Sequence, residues 1–172
     1  MQLFKYSETV GLPVVCAENG KKAGVIKDII FNPSDRVVKS FLLDRKGIEI
    51  GKKQVSFKNV LGLGRDALVI SDESSLEEYT RKDKSGDIIG LRVFERSGNE
   101  VGTVADVDFD IGTGRVESIE LSDGLFQDLV QGRNIMPLLG KVEFGEENII
   151  VEKEAVEEMV NNGRGIKNGL LS

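Results

Sequence analysis

Residues 23–32 read Ala23-Gly24-Val25-Ile26-Lys27-Asp28-Ile29-Ile30-Phe31-Asn32, and residues 101–110 read Val101-Gly102-Thr103-Val104-Ala105-Asp106-Val107-Asp108-Phe109-Asp110. Glycine, aspartate and phenylalanine recur at the second, sixth and ninth positions of each stretch. The match extends outward. Val38-Lys39-Ser40-Phe41-Leu42-Leu43 meets Val116-Glu117-Ser118-Ile119-Glu120-Leu121, and Gly11-Leu12-Pro13-Val14-Val15 meets Gly90-Leu91-Arg92-Val93-Phe94. Farther on, Gly64-Arg65-Asp66-Ala67-Leu68-Val69-Ile70 meets Gly145-Glu146-Glu147-Asn148-Ile149-Ile150-Val151, and Leu76-Glu77-Glu78-Tyr79 meets Val156-Glu157-Glu158-Met159. A repeat of this kind is one supersecondary design used twice. The expected organisation is a first domain over 1–80, a polar linker over 81–87, a second domain over 88–163 and a loose tail over 164–172.

Within each copy the apolar period is two. Val107 and Phe109 fall on one face of a strand and Asp106, Asp108 and Asp110 on the other; Ile29 and Phe31 oppose Asp28, Ile30 and Asn32. That alternation predicts half-buried strands. Glu18–Lys22 and Arg96–Glu100 contain Asn-Gly and Gly-Asn, which supply positive φ cheaply and predict hairpin turns. Asn32–Arg36 and Asp110–Gly114 predict the next turns, with third strands through Phe41–Leu43 and Ile119–Leu121. Ala67–Ile70 and Asn148–Val151 are the late strands. Short strands at regular turn spacing predict an all-β fold of two small, partly open meander barrels. Each is expected to be followed by a short α-helix: Leu76–Thr80 capped by Ser74 or Ser75, and Lys153–Asn162 with Val156, Met159 and Val160 on one stripe.

Composition excludes several chemistries. The 172 residues hold no histidine, no tryptophan and one cysteine. A histidine general base is therefore impossible within the chain, as are a Cys/His zinc cage and a disulfide framework. The N-terminal residues hold no long apolar run, and no segment approaches the roughly 20 apolar residues that cross a bilayer. A lone Cys16 fits a reducing compartment, so a bacterial-type cytoplasm, or a membrane surface facing it, is the expected location.

The net charge of −6 conceals an asymmetry. Residues 1–71 carry 12 Lys/Arg against 7 Asp/Glu, net +5; residues 72–172 carry 11 against 22, net −11. Such halves attract each other, associate head to tail between copies, or each face a charged partner.

The hairpin from Gly11-Leu12-Pro13-Val14-Val15 into Gly24–Asp28, followed by Phe31 and Val37-Val38, resembles the PRC-barrel family. The second copy is closer, with Gly98–Val107, Thr113-Gly114-Arg115-Val116 and Met136-Pro137-Leu138; copy one has Val55-Ser56-Phe57 at that last place. The resemblance covers nearly the whole chain, twice. It implies a small, partly open β-barrel and an assembly or RNA-processing adaptor role through protein contacts. It brings no catalytic residue and no cofactor.

Candidate sites are few. Asp106, Asp108 and Asp110 occupy positions one, three and five of a calcium-loop count, with Glu117 at twelve. Ile111 stands where the sharp turn of such a loop needs glycine, so an exposed strand face of like charge is the plainer expectation. Asp28 and Asp106 are expected to tie a nearby turn, with a partner contact as the other reading. Gly24 and Gly102 are expected to serve backbone geometry at the hairpin exit. Leu61-Gly62-Leu63-Gly64 lacks the third glycine of a dinucleotide loop. Lys21, Lys22, Lys27, Arg45, Lys46, Lys52, Lys53 and Lys58 form a basic side with one aromatic nearby, Phe57, expected in the core.

The expected function is non-enzymatic: an adaptor for a protein partner or a self-associating chain, such as a homodimer. It would bind through exposed apolar positions such as Ile26, Ile30 and Val104. RNA binding by the basic half and a ligand- or metal-holding barrel are the alternatives.

Overall fold

The computed structural model describes residues 1–47, 52–80, 87–122, 134–138 and 142–159. It is an all-β protein whose chain divides into two compact units. The first comprises Met1–Gly86 and Phe109–Arg115; the second comprises Asp87–Asp108 and Val116–Ser172. Residues 81–86 of the expected linker and all of the expected tail lie outside the described residues.

The first unit opens with β1 (Leu3–Lys5) and a single helical turn, α1 (Tyr6–Thr9), in which the Thr9 hydroxyl donates to the Lys5 carbonyl at 2.7 Å. Its sheet is built from β2 (Pro13–Cys16), β3 (Lys22–Asn32), β4 (Val37–Asp44), β5 (Lys53–Ser56), β6 (Val60–Leu63), β7 (Leu68–Ile70) and β8 (Leu76–Glu78). The strand order is β6-β7-β2-β3-β4-β5-β8. Strands β2 to β5 form the expected antiparallel meander, and β7 returns to lie parallel beside β2.

The second unit holds β9 (Arg92–Glu95), β10 (Glu100–Asp110), β11 (Val116–Ser122), β12 (Asn134–Pro137), β13 (Val142–Phe144) and β14 (Asn148–Val151), in the order β12-β11-β10-β9-β14-β13. Reversed, that is the order of the first sheet without β8. The residue registers agree as well. Val14 pairs with Leu68 as Val93 pairs with Ile149, both in parallel. Phe41 pairs with Val55 as Ile119 pairs with Met136. The first hairpin slips register between Gly24 and Lys22, and the second slips between Gly102 and Glu100. Two copies that share an irregularity as well as a strand order are one design repeated.

The period-two pattern fixes what is buried. Ile29, Phe31, Phe41, Leu43 and Val55 turn inward in the first unit, and Val93, Val107, Ile119, Met136 and Ile149 in the second. The turns fall where glycine predicts them: Gly20 has φ +70° and Gly98 has φ +97°.

One expected element is corrected. Leu76–Thr80 is not a helix: a 3-10 turn over Glu73–Ser75 leads into β8, which pairs Leu76 with Val55, Glu77 with Gln54 and Glu78 with Lys53. Five residues are too few for a stable isolated helix. As a strand Leu76–Glu78 pair with β5 and gain the Lys53–Glu78 ion pair. The turn is capped by Asp72, whose carboxylate accepts from the Ser74 amide at 2.7 Å, rather than by a serine. In the second copy residues 153–159 are helical, with Ala155, Val156 and Met159 buried; Val160–Asn162 lie outside the described residues.

Candidate interaction surface

The acidic face of β10 is not the solvated face that its alternation suggests. Asp106, Asp108 and Asp110 are all buried, Asp106 at 1% exposure, and so is Glu120 on β11. Alternation separates two faces of a strand but does not reveal whether the polar one is covered. Each carboxylate has hydrogen-bond donors. Asp106 accepts from the Val107 amide at 2.9 Å and Asp108 from the Ser118 hydroxyl at 2.7 Å. Asp110 accepts from the Thr113 hydroxyl at 2.8 Å and from the Gln2 and Gly112 amides. The Thr113 hydroxyl, those amides and the nearby amino terminus hold the Asp110 carboxyl below the usual carboxylate range. A calcium loop needs its carboxylates on a tight turn; here they stand on an extended strand, and among the described residues no acidic or thiol group of three converges for a metal.

The repeated aspartates work differently from the expectation. Asp28 accepts from the Ile29 amide at 2.8 Å, as Asp106 does from Val107, so each binds its own strand. In β3 this happens where the register slips between Ile26 and Asp28, leaving an amide for the carboxylate to take. Asp28 also accepts from the Tyr6 hydroxyl at 2.7 Å. The turn itself is tied by the residues four farther on. Asn32 accepts from the Ser34 and Asp35 amides, and Asp110 from Gly112 and Thr113. An Asx turn at a hairpin end is the mechanism; only the residue was misplaced. Gly24 is needed for close approach, since a Cβ there would stand 2.8 Å from the Asp44 carbonyl oxygen.

The apolar contact positions expected from the sequence are also corrected. Ile26 and Val104 are each 1% exposed and belong to the core, while Ile30 is half-buried. The register slips that interrupt strict alternation put Ile26 on the inward side. Leu61 is instead exposed, at 64% on the edge strand β6, as are Met1, Leu3 on β1 and Ile135 on the edge strand β12. Its pairing with β7 slips between Val60 and Gly62, so Leu61 is the extra, bulged residue. In the second copy Val142 begins the matching edge strand with no such slip in its register, and it is 1% exposed. The signal was in the sequence: glycine inside an apolar strand marks a bulge.

Several basic residues are structural. Arg45 is 5% exposed; its Nε donates to the Ala23 carbonyl at 2.8 Å and its Nη2 lies 3.3 Å from Glu73. Lys46 reaches Asp44 and Lys53 reaches Glu78. Phe57 is half-buried and packs over Gly114, where a Cβ would approach the ring to 3.2 Å. Cys16 is fully buried; burial first, then the nearby Glu73 and Asp72 carboxylates, push its thiol pKa up, which makes it a poor nucleophile. No helix among the described residues is long and apolar enough to cross a membrane.

The comparison with known proteins agrees with the duplication. The family model of the PRC-barrel domain matches twice, over residues 1–76 and 82–156. No curated protein matches the chain.

Proposed function

From its membership of the PRC-barrel domain family, to which this chain belongs in two tandem copies, we propose that the protein is a non-catalytic scaffold that binds a protein partner. The observation that carries this reading is the bulge on the edge strand β6, which the described part of β13 lacks. Val60 and Val142 hold the same place in the two frames, yet β6 carries an extra residue, Leu61, that stands in solvent, while the described register of β13 runs without one. A large apolar side chain held in water contributes no burial to the isolated fold. Edge strands are normally blunted because they invite pairing with another chain. An apolar anchor there suits docking, where a few buried side chains carry most of the binding energy.

The RNA alternative is less well supported. Stacking on unpaired bases needs accessible aromatic faces, and the ring nearest the basic residues, Phe57, is packed over Gly114.

The test is Leu61→Asp in the full chain, used as bait beside the wild type in quantitative cross-linking from native cells. The substitution is expected to leave the thermal midpoint nearly unchanged, since exposed positions shift stability by about 0.5 kcal/mol or less. It is expected to reduce recovery of a specific protein at least about tenfold, as loss of a buried apolar anchor does. Identical recovery by both baits would overturn the reading.

A further inference from the structure

The first unit gathers exposed cations at one corner. Val37 bridges to Arg115, and the Val38 amide donates to the Gly114 carbonyl at 2.8 Å. Gly114 in turn lies against the Phe57 ring. Lys39 and Lys58 each neighbour a contacting residue, and Arg115 is one, so the three belong to the same corner of the first unit. All three side chains are exposed. Some cations elsewhere are matched, Lys46 with Asp44, Lys53 with Glu78, Arg92 with Glu100, Arg96 with Glu152 and Lys153 with Glu157, while Lys21, Lys22, Lys27, Lys52 and Arg65 add further exposed positive charge to the first unit. Among the described residues no ion pair involves Lys39, Lys58 or Arg115. The nearby acids are occupied otherwise: Asp110 is buried under its turn donors, and Asp35 accepts from the Asn32 side chain at 2.8 Å. Arg36, at the same corner, holds φ +55°. It alone among non-glycine residues described is in the left-handed region, a conformation that persists where surroundings impose it.

The complementary surface is on the same chain. Residues 72–172 carry net −11, and the second unit exposes Glu146 and Glu147 on the turn before β14 and Glu157 and Glu158 on the outer face of the helix over 153–159. We propose that the Lys39–Lys58–Arg115 corner docks the acidic second unit of another copy of this chain, so that copies associate head to tail. The proposal rests on the scaffold reading and names a partner for it. Opposite potentials on two different patches favour a heterologous contact, in which each copy offers one face of each kind. The corner lacks an open stacking platform, so the acidic protein surface fits it better than a nucleic acid does.

The test uses sedimentation of the full chain. In about 50 mM salt the wild type is expected to exceed its 18.8 kDa chain mass increasingly with concentration. It should return to monomer near 1 M salt, where the Debye length is about 3 Å. Two charge-reversed chains are then made: Lys39→Glu/Lys58→Glu/Arg115→Glu, and Glu146→Lys/Glu147→Lys/Glu158→Lys. Each alone is expected to be folded, by unchanged circular dichroism, and monomeric. Mixed, they are expected to associate again, because the intact corner of one meets the intact acidic face of the other and the two reversed faces are again opposite in sign. A wild type that stays monomeric at low salt overturns the self-docking and leaves the scaffold reading to the Leu61 experiment. Association of either reversed chain alone, or a mixture that stays monomeric, also overturns it. So does labelled RNA binding that the first reversal abolishes while the wild type remains monomeric.

Discussion

Phe41→Ala is expected to destabilise the protein by about 3–5 kcal/mol, the usual cost of emptying a phenylalanine site in a packed core. Phe41 is fully buried at the centre of the first sheet, opposite Ile29 on β3 and Val55 on β5. Three strands therefore lose packing at once. Few small domains have more than about 5–15 kcal/mol to lose, so a loss on this scale removes much of the unit's stability. Urea unfolding followed by circular dichroism measures it. A loss below about 1 kcal/mol would mean that Phe41 is not in a close-packed interior.

Gly24→Ala carries the second large effect. One methyl group would stand 2.8 Å from the Asp44 carbonyl oxygen, 3.2 Å from Arg45 Cγ and 3.4 Å from Leu43 Cβ. The first of these is backbone and cannot swing away, so β3 and β4 must separate. Arg45 would move with them and loosen its bonds to the Ala23 carbonyl and Glu73. Overpacking of this kind costs about 1–3 kcal/mol. Gly62→Ala is the control, because a Cβ there meets nothing within 4 Å. Equal midpoints for the two variants would contradict the close approach. The same methyl group explains why glycine occupies this place without any appeal to ligand binding.

How far the sequence reaches is clear from particular residues. The pairs Ile29/Phe31 and Val107/Phe109 announce an inward face because a strand's side chains alternate, and that is a purely local rule. Asn19-Gly20 and Gly98-Asn99 announce turns for an equally local reason. Asp106, Asp108 and Asp110 misled because coverage of a sheet's second face is a tertiary property with no local signature. Leu76-Glu77-Glu78 misled because its capping pattern favoured a helix while a partner strand was available on β5. Tertiary pairing then outweighs a weak propensity. Leu61 has a local signal, since Gly62 interrupts an apolar run, but which residue of a bulge faces solvent is set by the pairing with β7. Arg115, Lys58 and Lys39 come together only through contacts at long sequence separation, which no spacing rule anticipates.

One strand framework is present twice in equivalent register, and its least local element is the parallel pair in each copy. Amide nuclear Overhauser effects in the full chain test it directly. The expected result is a set of contacts linking Val14 and Val15 to Leu68 and Val69, and a matching set linking Val93 and Phe94 to Ile149 and Ile150. A parallel pair in one copy but an antiparallel or absent pair in the other would contradict it.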